Sequence, residues 1–428
     1  MNKLYISALA VLGLASPALA QDSRLSFGNG SESVITRRAC GSMEVLAAQL
    51  AADPAQAQRM AAIEAQTRRF KANPAAQRTT AGTVIIPVVV HVLYNTAAQN
   101  IADAQVQSQI DVLNEDFRKL NADANQTPAI YAGLVADANV QFVLAKRDPS
   151  GVATTGIIHK YTKTASWGTN DAVKNSKRGG DNPWDASKYL NLWACNLGQG
   201  LLGYAQFPGG SASTDGVVIL YSAFGSRAKF AAGTYTNAYD LGRTATHEVG
   251  HWLNLRHIWG DDSGACTGSD LVDDTPNQGA ENYGCPVFPH VTCSNSGDMS
   301  MNYMDYVNDK CMYMFSTGQS ARMNALFAAG GARVGLLTSL GGTAPRAAAP
   351  TLTSAYPNPA SDVLNLALPA GTDAARATVH VFDLAGHEMK QVGYDGQGRV
   401  RVGSLPRGLY YLTVGTGANT TRQRFEKE

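Results

Sequence analysis

The sequence is short of net charge. Lys and Arg total 35 against 34 Asp and Glu, which leaves +1 over 428 residues. That balance excludes a global field favouring nucleic acid or an anionic membrane surface. Long apolar runs are scarce too. The single one is MNKLYISALAVLGLASPALA, with Lys3 in a short basic region, an apolar stretch over Leu4–Leu14 and the small-x-small exit Ala18-Leu19-Ala20. It reads as a secretory signal peptide over residues 1–20, cut between Ala20 and Gln21. Being too short for a bilayer span, it leaves no transmembrane segment to expect. There is no internal repeat and no low-complexity tract beyond GGTAPRAAAP, so solenoids and arrays are excluded.

What is present is ordinary for a globular protein. Hydrophobic residues make up 44 % and charged residues 16 %, enough for a sizeable core. The length suits two or three domains. Residues 21–78 carry helix-like, Ala- and Gln-rich runs without a strand pattern. At Thr83 the texture changes: TVIIPVVVHVLYN predicts a buried strand from its β-branched run. DAQVQSQIDVLNEDFRKL predicts a helix with Val106, Ile110, Leu113 and Phe117 on one face. Further strands are predicted at NVQFVLAKR, YLNLWACNL and GVVILYSAF, and a last helix at TGQSARMNALFAA. After the linker at 341–350, residues 351–428 alternate apolar and polar positions in VLNLAL, ATVHVFDL, RVRVGSL and LYYLTVG, a pattern of short strands.

The informative stretch is THEVGHWLNLRHIWG. Three of the chain's eight histidines, His247, His251 and His257, fall within eleven residues. On a helix, His247 and His251 are one turn apart on the same face, where two imidazoles can grip one ion. Glu248 lies beside the first and can hold a water without ligating. This is the H-E-x-x-H arrangement of a catalytic zinc. His257 completes a three-ligand set only if the helix ends and the chain turns back. Asn254 stands where that turn is needed, and Asn tolerates the left-handed conformation.

The flanks of HEVGHWLNLRH resemble the metzincin metalloproteases, most of all the pappalysin (cytophagalysin) family. NLWACNLGQGLLGYAQFPG resembles the strand bordering that family's substrate cleft, DLVDDTPNQG its calcium segment, MNYMDYVNDKCMYMF its Met-turn and RRACGSMEVL its prosegment. Asn254 departs from the glycine usual there. The resemblance implies an α+β fold: a metzincin-like catalytic domain with a twisted mixed sheet, an active-site helix and a C-terminal helix, followed by a small all-β sandwich. It implies His247, His251 and His257 as zinc ligands, Glu248 as general base and acid, Met304 as the floor under the zinc and Tyr306 as an oxyanion donor. Protein or peptide substrates follow. Within this frame residues 21–78 are an inhibitory prosegment and 79–340 the protease domain. Asp309 is a candidate acid for selecting a basic residue after the scissile bond, with Lys310 beside it as a neutralising neighbour. The rival is a non-catalytic surface or adhesion protein stabilised by its metal, against which an intact Glu248 argues.

Export permits disulfides. Cys266, Cys285, Cys293 and Cys311 bracket an irregular region and allow three pairings, or a structural zinc, although no C-x-x-C spacing occurs. The resemblance implies Cys266–Cys293 and Cys285–Cys311. It also implies Ca²⁺ on Asp270, Asp273 and Thr275, hard oxygen ligands in a loop whose spacing is not that of an EF-hand. Cys40 is a candidate fourth zinc ligand that silences the latent enzyme; the alternative is a Cys40–Cys195 disulfide, and with the former Cys195 stays a free buried thiol. Arg78–Thr79 is the candidate activation bond. Finally, Tyr356-Pro357-Asn358-Pro359, Asp383-Leu384-Ala385-Gly386 and Gly408-Leu409-Tyr410 resemble the C-terminal sorting domain of type IX exported proteins, which implies that export machinery as a partner. A carbohydrate-binding or adhesive sandwich would show the same strand pattern.

Overall fold

The β-branched run after Thr83 forms β1 (Val84–Tyr94), the spine of the larger unit. Its side chains from Ile86 to Leu93 are buried, because both sheet faces are covered. A computed structural model describes residues 35–73, 82–262, 264–345, 354–368, 374–415 and 421–428 of the chain. The apolar leader and the Arg78–Thr79 bond lie outside the described residues. The chain divides into two compact units, Met1–Thr343 and Ala344–Glu428.

In the first unit the sheet runs β2 (Val140–Leu144), β1, β4 (Leu190–Cys195), β6 (Val217–Leu220), β5 (Gly203–Ala205). β3 (Ile157–Tyr161) follows β2 along the same edge of β1, since Val88 pairs with both Leu144 and Leu190, and Val90 with both Ile157 and Leu192. All pairs are parallel except β5 on β6, so the sheet is mixed. Pro87 falls where β1 has a neighbour on one side only, the place where a missing N–H is tolerated.

Two helices precede the sheet, α1 (Ser42–Ala52) and α2 (Ala55–Lys71). α3 (Asp103–Phe117) packs on β2 with Val106, Ile110, Leu113 and Phe117 all buried, the face its period predicts. α4 (Arg243–Trp252) is buried along its whole length against β5, β6 and α3. α5 (Thr317–Ala325) begins with a capping box in which Ser316 and Gln319 satisfy each other's backbone N–H groups. Between α4 and α5 the backbone is mostly irregular, held by the Cys266–Cys293 and Cys285–Cys311 disulfides, the pairing the family resemblance implies. Cys40 and Cys195 are both free thiols, so the alternative bridge between them is absent.

The second unit is all-β. A four-stranded antiparallel sheet orders β10 (Gly393–Tyr394), β11 (Arg399–Arg401), β8 (Val363–Ala367) and β7 (Ser354–Tyr356). A three-stranded one orders β13 (Thr421–Lys427), β12 (Gly408–Val414) and β9 (Val379–Phe382). Leu364, Val400, Val381, Leu412 and Phe425, drawn from both sheets, share one core. Among the described residues no helix is long and apolar enough to cross a membrane.

Candidate metal centre

α4 sets His247 and His251 one turn apart, and its end brings in His257. Leu253 N still bonds back to Val249 O, then Asn254 takes a left-handed φ of 72° and Leu255 N returns to Gly250 O. Asn254 therefore does what the usual glycine would do. Each imidazole is pinned through Nδ1: His247 to Tyr303 O at 2.7 Å, His251 to Leu255 O at 2.8 Å, His257 to Asp261 Oδ1 at 2.7 Å. A ring that donates from Nδ1 to an oxygen presents a bare Nε2 lone pair inward.

Those Nε2 atoms converge, with His251 3.2 Å from His247 and 3.1 Å from His257. Three lone pairs aimed at one another repel unless a cation sits among them. Zinc held about 2.0–2.1 Å from each nitrogen in a tetrahedron places the nitrogens roughly 3.3 Å apart. The donor set fits zinc. Burial first, then the neighbouring imidazoles, holds His247 and His251 well below the usual histidine range, which keeps both rings neutral. With Cys40 the ligand atoms lie within 4.8 Å of one another.

Two glycines make room. A Cβ on Gly250, between the histidines of α4, would stand 2.5 Å from Met304 Sδ, so Met304 packs directly under that turn. One on Gly203 of β5 would meet Glu248 Cγ at 2.7 Å. Burial pushes the Glu248 carboxyl up to about 7, against hydrogen bonds from Ser42 and Cys40. Ser42 Oγ donates to Glu248 Oε2 at 2.9 Å while accepting from Ala205 N at 2.8 Å, and Cys40 Sγ lies 3.3 Å from the same Oε2. Cys40 N donates to Tyr306 Oη at 3.3 Å. Gly41 N to Gly203 O and Leu202 N to Ala39 O fasten this segment to β5.

Arg38 fills the neighbouring hollow, 1 % exposed. It donates to Asp309 Oδ1 at 2.6 Å, Thr244 Oγ1 at 3.2 Å and Val307 O at 3.2 Å. Lys310 is exposed, and the buried Asp309 is instead paired with Arg38. In the loop at 270–275, Thr275 Oγ1 lies 2.8 Å from Asp270 Oδ2 and 3.1 Å from Val272 O. Asp273 is turned outward, 93 % exposed and paired with Lys71.

The structure thus gathers Cys40, His247, Glu248, His251, His257, Met304 and Tyr306 in one place, and sets Asp270 with Thr275 elsewhere. Arg38, Ser42, Gly203, Gly250 and Asp261 escape the sequence reading. Arg38 and Ser42 flank Cys40 and Asp261 follows His257 by four, but nothing in residue type alone marks them.

Residues 172–328 match the family described as Pregnancy-associated plasma protein-A, Peptidase M43, and residues 354–428 the Secretion system C-terminal sorting domain. An extracellular metalloprotease of Pyricularia oryzae is 31 % identical over 340 residues, covering 76 % of this chain and 96 % of that one. Mature mirolysin of Tannerella forsythia in complex with a cleaved peptide is 54 % identical at a TM-score of 0.58, covering 60 % of this chain and 96 % of that chain. A promirolysin mutant of the same organism is 49 % identical at a TM-score of 0.64, covering 70 % and 97 %.

Proposed function

The chain belongs to the pappalysin (Peptidase M43) family of zinc metalloendopeptidases and carries a type IX sorting domain, and on that basis we propose a residue-level mechanism for a secreted protease made as a latent precursor. The observation that supports it most is the convergence of three Nε2 atoms beside a buried carboxylate. His247, His251 and His257 would hold the zinc. When bound, the ion supplies Lewis acidity, activating water at neutral pH and polarising the scissile carbonyl. Glu248 takes the attacking water's proton and returns it to the departing amine. Tyr306 donates from its hydroxyl to the tetrahedral oxyanion. Met304 packs beneath the ligands as the floor.

Latency in this reading has two parts. Cys40 would supply a further ligand to the zinc, and Ser42 hydrogen-bonds Glu248, so neither the ion nor the base would be free. The functional segments are a leader at 1–20, a prosegment at 21–78 opened at Arg78–Thr79, a protease domain at 79–340, a linker at 341–350 and the sorting domain at 351–428. Arg38 stands in for a substrate side chain: its bond to Asp309 supports a preference for a basic residue after the scissile bond. Asp270, Val272 O and Thr275 favour a calcium ion that stiffens the irregular loop, with Asp273 able to join once Lys71 leaves.

One chelation experiment tests the metal assignments. Casein cleavage by the matured protein is expected to stop with a chelator and return with zinc. The thermal midpoint is expected to return fully only when calcium is also restored. Cleavage that survives chelation removes the zinc mechanism, and a midpoint indifferent to calcium removes the second ion.

A further inference from the structure

Glu64, on α2, is held by three donors from the protease domain. Arg322 on α5 presents both terminal nitrogens to it, Nη1 to Oε2 at 2.8 Å and Nη2 to Oε1. Asn254 Nδ2 adds a third bond to Oε1 at 3.1 Å. The fork is fixed from behind, since Arg322 Nε donates to Asn254 O at 2.7 Å, the carbonyl of the left-handed turn residue itself. The Arg322 side chain is 2 % exposed and that of Glu64 17 %. A guanidinium anchored at Nε with its two remaining nitrogens side by side is a preorganised bidentate receptor for carboxylate. Although burial works against its charge, Glu64 is held below the ordinary glutamate range by Arg322, then Asn254 and Arg256. The other acid near Arg322, Asp270, already accepts from Thr275 and Val272.

Everything on the receptor side belongs to the protease domain, and Glu64 belongs to the segment that leaves. We propose that Arg322 and Asn254 form an exosite of the matured protease, which binds an acidic side chain of a polypeptide substrate in the position Glu64 holds in the precursor. It lies beside the turn that delivers His257, apart from the zinc ligands and from Asp309. Acid-rich proteins are therefore captured at a second point. A short peptide without carboxylates is not.

The inference rests on the protease reading, so the test compares two substrates on matured enzyme prepared from the full chain. One is casein; the other is a short, amidated peptide containing no Asp or Glu. Arg322→Gln is expected to raise the KM for casein at least fivefold with kcat within twofold, and to leave the acid-free peptide unchanged. For wild-type enzyme, casein whose carboxyls have been amidated is expected to show the same rise in KM, which settles the matter even where the variant does not accumulate. Equal KM values for native and amidated casein, or an equal loss on both substrates in the variant, overturn the exosite. Failure to cleave the acid-free peptide at all would instead count against the protease mechanism.

Discussion

Arg38 Nη2 lies 2.6 Å from Asp309 Oδ1, and both side chains are sealed from solvent. A buried charge pair survives only when well matched, and removing one member strands the other. Asp309 also accepts from the backbone N–H groups of Leu241 and Arg243, so its position does not depend on Arg38. On the proposed reading, removal of the segment that carries Arg38 would leave Asp309 open to a cationic side chain. Asp309→Asn is expected to lower kcat/KM about 100-fold for a peptide with Arg after the scissile bond, as for a buried charge pair losing one partner. A peptide with Leu there is expected to change by less than about threefold on the same reasoning. Equal losses on both peptides would mean that Asp309 is structural only.

Cys40 and Ser42 meet at one oxygen of Glu248. Cys40→Ala is expected to speed conversion of the precursor, followed by gel, because the remaining contacts of the segment are hydrogen bonds, ion pairs and steric cover, none of them able to coordinate a metal. An unchanged rate would assign latency to steric cover alone.

Asp305 offers a pH test on a carboxyl outside the three-histidine set. It is fully buried, accepts from Gln278, Asn282 and Tyr306, and burial pushes its carboxyl up to about 6. Unfolded, an aspartate titrates near 3.9. Between about pH 4 and 6 the native state therefore holds a proton the unfolded chain has lost, and stability falls as pH rises. The whole effect is about 3 kcal/mol. Asp305→Asn lacks it. Urea denaturation of both metal-stripped proteins is expected to show the variant gaining on the parent by that amount from pH 4 to 6. A gap that stays constant or narrows would contradict it.

Much of this was legible in the chain. The i, i+4 histidines follow from helix geometry, the third histidine from the family resemblance together with asparagine's tolerance of a left-handed turn at 254, and β1 and α3 from their periods. The segments at 203–205 and 157–161 give no such signal. β5 is three residues of Gly-Tyr-Ala, and β3, at a sheet edge, ends in exposed His159 and Tyr161 with half-buried Lys160 between them. β13, TRQRFEK, is charged along its outward face and buries little beyond Phe425 and Lys427. Arg38 with Asp309 and Glu64 with Arg322 are separated by more than 250 residues, and such pairings belong to the folded chain alone. The glycines at 203 and 250 matter for what they approach, Glu248 and Met304, which no local pattern records.

The central claim is that Glu248 carries protons and does not hold the metal. Glu248→Ala, opened with an external protease, is to be assayed for bound zinc and for peptide turnover in one preparation. Zinc near one equivalent with turnover lost by about 10²- to 10⁴-fold, the range of general-base removal, is the predicted result. Turnover close to that of the parent with zinc still bound would contradict the mechanism.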